Sequence, residues 1–105
     1  MTRGEIWLAA LDPTLGSEIR KTRPCLVVSP PQMHDHLRTV IVAPMTTRSR
    51  PAPFRVPIIF EGTAGLVLLD QIRALDKARL LRRLGTASAK TMRETLGTLQ
   101  IIFVE

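Results

Sequence analysis

The chain has 105 residues, 45% of them hydrophobic, which suffices to bury one core and is too short for two ordinary domains. Fifteen Lys and Arg against nine Asp and Glu leave a formal charge of +6, which fits either a polyanionic partner such as nucleic acid or a solvated basic surface. The apolar stretches reach only about seven residues, well short of a membrane span, and the charged segment from Met1 to Glu5 leaves no room for a signal-peptide core, so the expected setting is the cytoplasm, away from membranes.

Proline and glycine divide the first two thirds into short apolar runs that suit strands and are too short for stable helices. The first strand is expected over residues 5–11, stopped by Asp12 and Pro13. A connection of about a dozen residues follows, containing Gly16 and Ser17 and ending on Arg20, Lys21 and Arg23. Long loops in compact domains often carry function, and Pro24 biases Arg23 toward an extended backbone, which suits a phosphate clamp; a solvated basic loop is the plainer alternative. The second strand covers residues 25–29. Its Cys25 is the sole cysteine, which excludes an internal disulfide and a cysteine-based metal site and reads as a buried structural thiol.

His34 and His36 flank Asp35 in the next loop. In an extended loop they would point the same way, as an acid–base pair or a poor two-nitrogen metal site, against the plainer reading of a solvated loop. A third strand, residues 39–43, stops at Pro44, and Thr46 and Thr47 follow with Arg48 and Arg50 behind them. Hydroxyls at a strand end can bond a phosphate oxygen, although threonines there more often form turns.

In the fourth run Phe54, Val56, Ile58 and Phe60 share one face while Arg55 and Pro57 take the other, and Pro57 marks an edge strand. Residues 66–73 form the clearest strand pattern, with Gln71 and Arg73 on one face and Asp70 and Ile72 on the other; a shorter candidate covers residues 80–84. Only the last segment reads as helical: Ser88 can cap it, and Met92, Leu96, Leu99 and Phe103 recur along one face, with Gly97 a weak point. Five or six short strands and one amphipathic helix, without βαβ alternation, predict a mostly β fold, a small antiparallel barrel plugged or flanked by the C-terminal helix.

Three blocks then take on a joint meaning. Arg3-Gly4-Glu5-Ile6-Trp7, Gly16-Ser17-Glu18 and Arg23-Pro24 open the chain; Ile41-Val42-Ala43-Pro44-Met45-Thr46-Thr47 and Leu69-Asp70-Gln71-Ile72-Arg73 follow in order. From residue 3 to about residue 103 the sequence resembles the MazF/PemK toxin family. The resemblance implies an SH3-like antiparallel β-barrel, a homodimer, sequence-selective cleavage of single-stranded RNA with no metal or cofactor, and inhibition by a cognate acidic antitoxin of MazE type. It places Arg23 and Thr46 at the positions of the family's catalytic arginine and threonine. Ser17, Glu18 and Thr47 fall where loops border the RNA groove, Gln71 and Arg73 on the strand facing it, and Arg20, Lys21 and Arg48 join them as RNA-binding cations. Ile19, Arg20 and Lys21 stand where relatives often have a shorter or glycine-rich loop, a departure that bears on the cleavage sequence.

The implied reaction is attack by a ribose 2′-hydroxyl on the adjacent phosphorus, giving a 2′,3′-cyclic phosphate and a 5′-hydroxyl end. It needs no water nucleophile, and a guanidinium stabilises the phosphoryl charge better than an ammonium. Two other classes compete. A CcdB-like toxin that poisons a DNA topoisomerase by binding would rely on a C-terminal tryptophan, whereas the only tryptophan here is Trp7. A plain nucleic-acid-binding barrel would display stacking aromatics; this chain has no tyrosine, and Phe54, Phe60 and Phe103 are all expected on apolar faces.

Overall fold

A computed structural model describes residues 1–105. Its strands are β1 (Glu5–Ala10), β2 (Thr22–Val27), β3 (Thr39–Thr46), β4 (Arg55–Phe60), β5 (Thr63–Leu68), β6 (Arg73–Asp76) and β7 (Leu80–Thr86), with a one-turn helix α1 (Pro31–His34) and the C-terminal α2 (Ala89–Ile102). All pairings are antiparallel, in the order β4-β5-β3-β2-β1-β7, with β6 beside β3. The sheet curls until its ends approach: a Cβ built on Gly85 of β7 would lie 3.4 Å from the Phe60 ring of β4. The expected small barrel is thus a curled antiparallel half-barrel with one C-terminal helix, its seam filled by side chains.

Two cores explain the apolar patterning. Inside the curl, Ile6, Leu26, Met45, Val56, Ile58 and Val67 pack with Met92 and Leu99 of α2. On the opposite face of the central strands, Ala9, Cys25, Val27, Val42 and Leu75 are covered by Trp7, Ile19 and Leu80. Strands buried on both faces must be apolar continuously, as in Cys25, Leu26, Val27 and Val28. The edge strand β4 instead alternates, with Ile58 5% exposed and Ile59 78%. A fully buried leucine such as Leu26 contributes about 1.5–3 kcal/mol from burial.

Several expectations are corrected. β3 does not stop at residue 43 but runs through Pro44 to Thr46. The carbonyl of Ile41 accepts from the Val28 N–H of the β2 side, so by alternation the nitrogen of Pro44 faces the opposite edge, where β3 changes partner from β6 to β5 and no donor is needed. The single strand over residues 66–73 is broken by a 3-10 turn, Leu69–Gln71. Val67, Leu68 and Leu69 are all buried in succession, and the chain bends so that both Leu68 and Leu69 can turn inward. Gln71 and Arg73 therefore do not share one strand face; Gln71 lies in the turn and Arg73 opens β6.

The helix begins as expected, the Ser88 hydroxyl accepting from the Thr91 N–H. Its buried face includes Thr95, while Phe103 lies beyond the helix end and is 70% exposed, and Phe54 is exposed as well. The histidine loop is neither extended nor uniformly solvated. His34 ends α1 fully buried: its Nε2–H donates to the Met1 carbonyl (3.0 Å), and its Nδ1 accepts from the Ser29 hydroxyl (2.8 Å), whose oxygen takes the Ile41 N–H (3.1 Å). His36 is exposed.

Glu5 fastens the start of β1. Burial raises its carboxyl pKa, but hydrogen bonds from the Trp7 indole (2.9 Å), the Thr2 N–H (2.9 Å) and the Thr2 hydroxyl (2.8 Å) outweigh it, so the net shift is downward. A carboxyl depressed in the folded state adds stability above its unfolded pKa and loses it as pH falls through the folded value. The urea midpoint of the wild type is therefore expected to fall on acidification through the carboxylate range more steeply than that of Glu5→Gln; parallel curves would refute the assignment.

Candidate active site

The half-barrel opens where β2 and β3 part. Their ladder ends at Cys25↔Pro44, and the same register continued by two residues brings Arg23 level with Thr46, on a common face. A cavity of about 430 Å³ lies there, lined by Arg23, Thr46 and Thr47 and, from other elements, by Glu61, Thr63 and Arg82 over a floor that includes Leu8, Ile58 and Phe60. Arg23 is a strand residue rather than part of the loop, and it is half-buried. Its Nε donates to the Arg20 carbonyl (3.2 Å), which fixes the guanidinium plane and leaves both terminal nitrogens without a partner in the chain. Thr46, 8% exposed, accepts the Arg48 N–H on its hydroxyl (3.2 Å), so its own proton is free to donate.

Gly65 makes that position of Thr46 possible. A Cβ at residue 65 would stand 2.9 Å from the Thr46 carbonyl oxygen and 3.6 Å from the Thr47 methyl, so only glycine lets β5 lie this close to β3.

Arg82 was not singled out by the sequence. Register shifts between the Ile6 and Trp7 pairs and between the Leu8 and Ala9 pairs place two bulges in β7. Leu8 thereby pairs with both Pro24 and Arg82, aligning them in one row at the cavity, while Arg83 pairs with Trp7 and meets the Glu5 carboxylate at 3.5 Å. Bulges at sheet edges re-aim side chains in this way. Arg82 makes no hydrogen bond or ion pair within the chain, whereas a simple period-two reading of residues 80–84 cannot foresee which of the adjacent arginines faces the groove.

The other expected site residues divide into two groups. Glu18, Gln71 and Arg73 line a second cavity of about 330 Å³ beside Pro44 and Asp70. There Gln71 Oε1 accepts the Ile19 N–H (2.7 Å) and Arg73 donates to the Leu11 carbonyl (3.2 Å), so both staple the long loop to the sheet; Glu18 accepts the Leu15 N–H (2.7 Å). Ser17, Arg20, Lys21 and Arg48 are exposed outside both cavities. The Cys25 thiol is buried and pushed up to about 12 by desolvation, against the opposing pull of the Arg73 charge, which makes it an inert core group. Neither histidine lines either cavity.

The family described as "PemK-like, MazF-like toxin of type II toxin-antitoxin system" matches residues 2–103. Endoribonuclease PemK of Escherichia coli is 43% identical over 108 residues, covering 97% of this chain and 81% of that protein. Endoribonuclease MazF of Staphylococcus saprophyticus is 35% identical over 107 residues, covering 96% and 89%. Among solved structures, MazF from Deinococcus radiodurans superposes with a TM-score of 0.86 at 30% identity, over 97% of this chain and 94% of that one. A MazE-MazF structure from the same organism gives 0.78 at 27% identity, over 97% and 93%.

Proposed function

The chain belongs to the PemK-like, MazF-like toxins of type II toxin-antitoxin systems, and from that premise we propose that it is an endoribonuclease cutting single-stranded RNA by 2′-hydroxyl attack, without a metal ion. The observation that carries the mechanism is the convergence of Arg23 and Thr46, from strands separated in sequence, on one cavity with unused donors. In the proposed step the 2′-oxygen bonds to phosphorus and gives its proton to water, while the 5′-oxygen departs and takes a proton from water, leaving a cyclic phosphate. The two terminal nitrogens of Arg23 hold the phosphoryl oxygens as charge builds on them, and the Thr46 hydroxyl adds a hydrogen bond that shortens in the transition state. A guanidinium offers a fixed positive charge and a planar fork of donors, so Arg23 acts as an electrostatic stabiliser.

Thr47 borders the same cavity, and Arg82 adds a second free guanidinium for a neighbouring phosphate. Ser17, Glu18, Arg20, Lys21, Arg48, Gln71 and Arg73 complete the proposed RNA surface, with the last two acting through the loop they hold. We extend the reading to a symmetric homodimer and to an acidic, partly disordered antitoxin laid across the basic groove, a partner supported by the MazE-MazF relative. The expected site of action is the cytoplasm, where the RNA is. Purified protein incubated with long RNA in EDTA is expected to cut it and to leave 5′-hydroxyl ends, while DNA, lacking the 2′-hydroxyl, stays intact. A strict Mg²⁺ requirement or 5′-phosphate ends would overturn the mechanism, and uncut RNA under all conditions would overturn the enzyme reading.

A further inference from the structure

Nothing in the proposed reaction uses Glu61, and a carboxylate in a groove for RNA repels the phosphates that Arg23 and Arg82 attract. Glu61 nevertheless lines that cavity, together with Thr46 and Thr63. Its side chain is exposed, while its backbone is fixed by the turn. With φ +51, beside Gly62 at φ +75, it forms the two-residue turn between the paired Phe60 and Thr63. Two successive positive φ values define the tight hairpin turn that favours Asn, Asp or Gly, so a glutamate here stands on an unfavourable backbone. Its carboxylate makes no hydrogen bond or ion pair with the chain, whereas those of Glu5, Glu18, Asp70 and Asp76 are all engaged.

Resting on the endoribonuclease reading, we propose that Glu61 is a specificity-determining residue that accepts a hydrogen bond from the exocyclic amino group of a base flanking the scissile phosphate. Single-stranded RNA exposes the Watson–Crick edges of its bases. Adenine, cytosine and guanine each present an amino group there, while uracil presents two carbonyls around one imino N–H, and its lone pairs oppose the carboxylate. Phe60, the residue before Glu61, offers a half-buried ring in the cavity floor against which such a base can lie. Arg23 and Arg82 hold the phosphates, and Glu61 tells the bases apart.

The test compares wild type, Glu61→Gly and Glu61→Gln on one long RNA, with the new ends mapped by sequencing. Glycine suits the turn, so the first variant is expected to fold, which its thermal unfolding curve checks. The wild-type ends should share one flanking position at which amino-bearing bases exceed uracil by roughly tenfold or more. In Glu61→Gly that ratio should fall to within about threefold, with every other consensus position unchanged. Glu61→Gln, uncharged but still an acceptor, should give an intermediate ratio. An identical consensus in wild type and Glu61→Gly overturns the proposal, as does a wild-type consensus that admits uracil at every flanking position. Those outcomes leave the enzyme reading intact; a wild type that cuts no RNA overturns both.

Discussion

Arg23→Lys is expected to bind single-stranded RNA nearly as the wild type does and to cut it roughly a hundredfold or more slowly, the scale of losing a transition-state donor. The substitution preserves the charge. It removes the fork of donors whose Nε is anchored on the Arg20 carbonyl and whose terminal nitrogens are left free in the cavity. An ammonium on a flexible stem has no equivalent anchor, so it meets the developing phosphoryl charge with fewer and less directed bonds. Two comparisons separate catalysis from attraction. Arg50, exposed and outside the cavity, is expected on Arg50→Ala to weaken binding and flatten its salt dependence by about one phosphate contact. His36→Ala is expected to leave the rate within a fewfold, since that side chain is exposed away from the site and the other histidine is locked between Ser29 and Met1. Single-turnover cleavage rates beside filter-binding affinities read both quantities. Full activity in Arg23→Lys with loss of activity in His36→Ala would transfer the chemistry to an imidazole.

Gly65→Ala is expected to lower stability by about 1–3 kcal/mol and to slow cleavage with less effect on RNA affinity, because the added methyl must displace the backbone that carries Thr46. The obstacle is a carbonyl oxygen 2.9 Å away, not the far end of a flexible side chain, so relief requires a shift of β3 or β5. A movement of a few tenths of an ångström there withdraws the Thr46 hydroxyl from the phosphate position while Arg23 and Arg82 remain to hold the RNA. Gly97→Ala supplies the contrast. Nothing lies within 4 Å of a Cβ at that helical position, so the methyl should stabilise by up to about 1 kcal/mol and leave cleavage unchanged. Chemical denaturation together with kcat and KM measured separately checks both variants; a Gly65→Ala protein as stable and as active as the wild type would show that the close approach positions nothing.

Much of this fold is encoded in local rules. Alternation around Pro57 marked β4 as an edge, the capping residue Ser88 and the spacing of Met92 and Leu99 located α2, and the lack of βαβ alternation made the sheet antiparallel. Pro24 after Arg23 and the strand end at Thr46 make these two residues candidates among several, and it is the resemblance to the toxin family that singles them out. Their meeting was not legible from those residues, since it depends on the register between β2 and β3, which packing of both faces selects across the whole sheet. Glu61, Gly65 and Arg82 share that origin. A close strand approach and two bulges admit or aim Gly65 and Arg82 at the cavity, and although the Glu61-Gly62 turn is local in sequence, the curl of the sheet is what carries it to the cavity. The same holds for the bend at Leu69 and the burial of His34. Periodicity tells a strand which of its faces is apolar, but where the sheet curls, what covers its second face and which polar side chains end in the groove are decided only when distant segments pack.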